Sequence, residues 1–104
     1  MEKKSNHKVI VAERARQMLG GHIRFLAQKS PSGARKTKSE LVSAIRCLYQ
    51  MPERFPFLNA ELIPPNKYHK MLVQKRYLIL YQIKDQTVYV DYIMDCRQDY
   101  GWLI

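Results

Sequence analysis

The clearest pattern in the chain is a run of three apolar segments near its end, Tyr68–Val73, Tyr77–Ile83 and Val88–Met94, parted by two short polar breaks. Their Tyr, Ile, Val and Leu content suits a pleated, half-buried surface. The breaks, Gln74-Lys75-Arg76 and Lys84-Asp85-Gln86, are too short for a crossover helix, so neighbouring strands must be antiparallel. In the third segment Val88, Val90, Tyr92 and Met94 alternate with Thr87, Tyr89, Asp91 and Ile93, which predicts one set on each face. The middle segment is apolar on both faces, as a central strand should be. Upstream, His7–Val11 is a short strand candidate able to join this meander as a fourth strand.

Between these strands the period changes from two to helical. Ala15, Met18, Leu19, Ile23 and Leu26 form an apolar stripe that predicts a helix over residues 12–29. Gly20-Gly21 interrupts the stripe and marks either close packing or a weak point; His22 borders it and reads as a packing residue. Ser30-Pro31-Ser32 ends this helix and starts a second over residues 32–50, whose apolar face holds Ala34, Leu41, Ala44, Ile45 and Leu48. Four prolines, Pro52, Pro56, Pro64 and Pro65, then exclude helix and central strand. Phe55, Phe57, Leu58, Leu62 and Ile63 are too apolar for a free linker, so this segment is expected to be an ordered loop over one edge of the core. Residues 1–6 form a polar, flexible leader. In the tail, Tyr100, Trp102 and Leu103 are expected to fold back on the domain or meet a partner. The whole, residues 1–104, reads as one α+β domain: a two-helix hairpin on one face of a mainly antiparallel sheet of about four strands.

Charge adds a partner to this picture. The net charge is +9, and residues 1–50 carry eleven Lys and Arg against three Asp and Glu, while residues 51–104 carry seven against six. An acidic partner, protein or nucleic acid, fits such an excess, although a solvated helical surface accounts for it too. Arg35, Lys36 and Lys38 crowd the start of the second helix, the end least favourable to cations. With Lys70 and Arg76 they are the candidate partner- or nucleic-acid-binding residues. Cys47 and Cys96 stand apart, without CxxC or ligand spacing, and read as reduced thiols of a cytoplasmic protein with neither metal nor cofactor. No apolar run reaches membrane-spanning length, and no secretory signal pattern opens the chain.

The order of these parts carries a resemblance. A strand is followed by a basic helical hairpin with Ser30-Pro31 and Ala34, then Leu48 to Pro52, a Pro-rich loop, Tyr77-Leu78-Ile79-Leu80-Tyr81, and Arg97-Gln98-Asp99 after the last strand. Over residues 7–104 the chain resembles the RelE/ParE toxin family. The resemblance implies the toxin half of a type II toxin–antitoxin pair. It also implies a cognate antitoxin that wraps the toxin with an amphipathic, acidic segment. RelE-like members cut mRNA in the ribosomal A site; ParE-like members poison DNA gyrase.

The two branches differ in chemistry. Metal-free RNA cleavage needs a base for the 2′-OH, cations for the phosphorane and an acid for the leaving oxygen. With Tyr68 aligned to the family's tyrosine in the first meander strand, the resemblance places two basic positions at His69 and Met71 and a third at Leu78. Arg97 matches the arginine after the last strand, and Tyr100 approximates the C-terminal tyrosine. A one-residue shift recruits Lys70 instead. His69, Arg97 and Tyr100 are therefore the candidate catalytic residues if the protein is a ribonuclease, with Lys70 and Arg76 beside them. Asp91, Asp95 and Asp99 would oppose a phosphate there, and Lys75-Arg76 reads equally as a hairpin turn. This leans the reading to ParE-like inhibition of gyrase by binding. A RelE-like endoribonuclease, and a basic nucleic-acid-binding domain without toxicity, are the alternatives.

Overall fold

The structure is a computed structural model that describes residues 6–59 and 63–97. Leader residues 1–5, Leu62 and the tail from Gln98, with Tyr100, Trp102 and Leu103, lie outside the described residues. The elements run β1 (Lys8–Val11), α1 (Glu13–Ala27), α2 (Pro31–Arg46), single 3-10 turns at Cys47–Tyr49 and Pro52–Arg54, β2 (His69–Val73), β3 (Tyr77–Lys84) and β4 (Thr87–Asp95). They form a four-stranded sheet of order β1-β4-β3-β2. The β2–β3–β4 meander is antiparallel as expected, and β1 joins it parallel to β4.

Both helices are shorter than their apolar stripes suggest. Ala12 still belongs to the sheet, donating its N–H to the Val90 carbonyl at 2.9 Å, so α1 starts one residue later. At the far end the N–H groups of Lys29 and Ser30 turn back to the Leu26 carbonyl. Ser30 then caps α2, its Oγ accepting the Gly33 N–H at 3.0 Å, with Pro31 in the first turn. After Arg46 the chain tightens into the Cys47–Tyr49 turn, and Met51 takes a left-handed conformation (φ 47°) before Pro52. Gly20 and Gly21 do not break α1. A Cβ at Gly21 would meet nothing, and one at Gly20 would meet only the Arg24 guanidinium at 3.3 Å. Close packing among the described residues is thus not the reason for the pair, although each glycine costs a helix about 1 kcal/mol.

The helices cover one sheet face. Ala15, Leu41, Ile45 and Leu48 meet Met71, Tyr77, Ile79, Tyr81, Val88, Val90 and Ile93 there. A smaller cluster of Leu58, Tyr68, Leu78, Leu80 and Met94 fills the opposite face, with Ile63 from the Pro-rich loop packed against it. Of that loop's described residues, Phe55, Leu58 and Ile63 pack against the core, as their apolar content predicts. Burial on both faces explains the continuous apolar run of β3.

One expectation fails. The register passes from Leu80↔Tyr92 to Tyr81↔Val90, leaving Asp91 as an extra residue in β4. This bulge reverses the alternation. Ile93 therefore joins Val88 and Val90 on the helix face, while Tyr92 and Met94 turn to the other. Beyond the bulge β1 has ended and α1 takes over the edge of β4. Arg14 Nε reaches the Asp91 carbonyl at 3.3 Å, and His22 Nε2 donates to the Ile93 carbonyl at 2.7 Å.

Candidate functional site

His69 opens β2 on the helix-covered face, paired in register with Tyr81. It is buried, stacked on the Tyr81 ring (centroids 5.3 Å, 14°) and against Phe57 (4.2 Å). Its Nδ1 donates to the Phe55 carbonyl at 2.7 Å. Tyr81 is also fixed, its hydroxyl donating to the Pro52 carbonyl at 2.7 Å, and burial pushes its phenol pKa upward. The Pro-rich loop thus closes over His69 rather than presenting it.

The other catalytic candidates stand elsewhere. Arg97 follows Asp95, whose register partner is Tyr77, four residues along β3 from the Tyr81 that faces His69. Four residues of strand span about 13 Å. Tyr100 lies outside the described residues. Lys70 points to the face opposite His69, over a shallow hollow of about 460 Å³ shared with Leu72, Lys75, Leu78 and Cys96. Arg76 is occupied: its Nε and Nη2 hold the buried Asp95 carboxylate at 3.1 and 2.8 Å. Burial drives the Asp95 pKa up, but the Arg76 hydrogen bonds, the Arg97 N–H and the Arg76 charge outweigh it and hold the carboxyl below its usual range. Met71 and Leu78, the apolar residues at two positions where the resemblance places cations, are 6% and 4% exposed. The structure therefore does not bring His69, Lys70, Arg76 and Arg97 together around one point.

The basic residues of the helical hairpin are arranged differently. Arg35, Lys36 and Lys38 are all exposed on the first half of α2. Lys38 borders a hollow of about 430 Å³ between the two helices, together with Leu19, Gly20 and Ile23. A second hollow of about 430 Å³ adjoins it, sharing Arg16 and Leu19 and running on to β1 past Ile45 and Arg46. Together they make a trough with an apolar floor. Arg16, Arg24, Lys38 and Arg46 stand along it, and among the described residues none is in an ion pair. Three of these four are absent from the sequence-derived candidates. Their signal was the spacing Arg16 to Arg24 on α1, which matters only once α2 is known to lie beside it.

With this geometry in hand, comparison with known proteins decides the family. A family model described as "ParE toxin of type II toxin-antitoxin system, parDE" matches residues 9–100. The chain belongs to the ParE toxin family. Among solved structures it is similar to a chain from the chromosomal ParDE toxin–antitoxin system of P. aeruginosa, with a TM-score of 0.70 at 12% identity, covering 86% of this chain and 95% of that one. At that identity the likeness is one of fold. A search of curated proteins finds no match. Family membership makes the protein a type II toxin with a cognate antitoxin as partner. Among the described residues of this ParE toxin, no helix is long and apolar enough to cross a membrane. Its described residues likewise contain no cluster of three or more His, Cys, Asp or Glu able to hold a metal ion.

Proposed function

We propose that this ParE-family toxin arrests growth in the cytoplasm by binding DNA gyrase, without cleaving RNA, until its antitoxin sequesters it. The observation that carries this reading is the state of His69. Its ring is closed in by Phe57 and Tyr81 and tied to the Phe55 carbonyl. A general base must come within hydrogen-bond reach of the proton it takes. The buried Met71 and Leu78 support the same reading. Each replaces a cation that would steady the phosphorane, and loss of one well-placed donor of this kind costs roughly 10²–10³ in rate. The test pairs a gyrase supercoiling assay on the purified toxin with primer extension on mRNA from cells expressing it. Inhibited supercoiling with intact transcripts is the expected result. Codon-phased cleavage lost on Arg97→Ala would make the protein a ribonuclease and overturn the proposal.

A further inference from the structure

We infer that the outer edge of β2 at Leu72 is where the toxin holds the protein it inhibits, taking up an extended, acidic segment of that target as an added strand; this rests on the reading of the chain as an inhibitor that acts by binding gyrase. β2 is an outer strand of the sheet. The Pro-rich loop already lies along its first half. Phe57 bridges His69, the Leu58 N–H meets the Tyr68 carbonyl at 2.7 Å, and the Lys70 N–H meets the Pro56 carbonyl at 2.9 Å. Short of Leu72 this covering segment gives way to the Pro52–Arg54 turn. Backbone groups alternate between the two sides of a strand, so the N–H and C=O of Leu72 point the same way as those of Tyr68 and Lys70. Among the described residues no backbone group meets them. An unpaired strand edge of this kind is a template for another chain, and strand addition is a recurrent way of binding an extended segment.

The side chains set the chemistry of that segment. Leu72 is 56% exposed and borders the hollow of about 460 Å³ on the sheet face away from the helices. Leu78 and Cys96 line the same hollow, as do Lys70, two residues before Leu72, and Lys75, three after it. No acidic side chain lines it, and among the described residues neither lysine is in an ion pair. A second copy of this chain would bring these lysines against their own kind, so charge disfavours self-pairing. The matching strand places an apolar residue beside Leu72 and Asp or Glu two positions away on the same face, where cross-strand pairs of opposite charge form. A nucleic-acid backbone would meet the lysines but leave the Leu72 side chain and the strand edge unused.

The test measures inhibition of gyrase supercoiling by the purified toxin and its variants, with a circular dichroism melt confirming that each is folded. Leu72→Glu, and separately Lys70→Glu with Lys75→Glu, should raise the toxin concentration needed for half inhibition by about 100-fold, as expected where like charges are opposed at an interface. Lys67→Glu with Lys84→Glu, which changes net charge as much as the other lysine pair does but lies outside the hollow, should leave it nearly unchanged. Leu72→Val keeps the edge N–H and should act almost as wild type. Leu72→Pro removes that N–H without touching the β2–β3 ladder, a substitution an edge strand tolerates, and should lose about tenfold or more. If Leu72→Pro fails to fold, Leu72→Glu and the Lys70/Lys75 pair decide the matter. A wild type that inhibits gyrase equally with Leu72→Glu and the Lys70/Lys75 pair overturns the inference and leaves the gyrase reading standing. Failure of wild type to inhibit overturns that reading, and the inference with it. A wild-type dimer in sedimentation that Leu72→Glu splits would make this edge a contact between copies. Binding to the plasmid alone, lost in the Lys70/Lys75 pair but kept in Leu72→Pro, would make the occupant nucleic acid. Either result also overturns the inference.

Discussion

Arg76 grips Asp95 through two parallel hydrogen bonds, Nε to Oδ1 at 3.1 Å and Nη2 to Oδ2 at 2.8 Å, where β3 begins and β4 ends. The same corner is closed by the backbone: Cys96 N–H meets the Arg76 carbonyl at 2.8 Å, and Arg97 N–H meets Asp95 Oδ1 at 3.0 Å. With Asp95 1% exposed, removing its charge strands a guanidinium that is itself largely covered. Asp95→Asn is expected to cost about 3–5 kcal/mol in urea denaturation. Because the folded-state pKa is depressed, the stabilisation is complete above the unfolded value and disappears as pH falls through the folded one. The stability gap between wild type and Asp95→Asn should therefore be constant near neutrality and narrow below about pH 4. A gap independent of pH would mean that the ion pair is not what the substitution removes.

His22 is a packing residue with a defined task. Its Nε2–H satisfies the Ile93 carbonyl at 2.7 Å, on the stretch of β4 that β1 is too short to cover. An unmet buried acceptor costs about 1–3 kcal/mol, so His22→Ala should lower stability by that amount. Growth arrest per folded molecule should be unaffected, since the ring faces the sheet edge. A variant of full stability without inhibition would contradict this.

How much of this was legible in the sequence depended on whether neighbours in space were neighbours in the chain. The meander was readable because its polar breaks are three residues long and leave one way to pair. The helix stripes were readable from period alone. The bulge was not, because Val88 to Met94 alternates without a fault and only the pairing of Leu80 with Tyr92 and Tyr81 with Val90 skips Asp91. Arg76 looked like a free cation because Asp95 lies nineteen positions away and meets it only through the β3–β4 register. His69 sat correctly on a strand, but nothing local said that Phe55 and Phe57 would return to enclose it. Of the trough, Lys38 was recognised from charge, whereas Arg16, Arg24 and Arg46 needed the helix pairing.

The β2–β3 turn carries a removable strain. Gln74 and Lys75 both take positive φ (57° and 54°) at the centre of the turn closed by the Arg76 N–H on the Val73 carbonyl at 3.1 Å, a left-handed pair of positions that favours Asn-Gly. Gln74 has a compensating role: its side chain accepts from Thr37 Oγ1 at 3.1 Å and donates to Glu40 at 3.0 Å, pinning the turn to α2. Lys75 is exposed and has no such role. Lys75→Gly should stabilise the protein by about 1 kcal/mol, while Gln74→Gly, which loses both side-chain bonds, should gain nothing. Thermal denaturation of the two variants checks the pair; equal gains would show that the Gln74 bonds contribute little.

His69 allows structure and catalysis to be separated by two substitutions. His69→Ala removes the ring between Phe57 and Tyr81 and strands the Phe55 carbonyl, for an expected loss of about 2–4 kcal/mol. In His69→Asn the side-chain amide nitrogen occupies nearly the place of Nδ1. It can still donate to Phe55, so the hydrogen bond survives while the stacking is lost. If the residue only holds the Pro-rich loop against β2, stability should fall in the order wild type, His69→Asn, His69→Ala. Growth arrest should then follow the folded fraction of each variant. An amide cannot act as a general base at neutral pH. A well-folded His69→Asn that no longer arrests growth would therefore identify the imidazole as chemically active and overturn the binding mechanism proposed for this toxin.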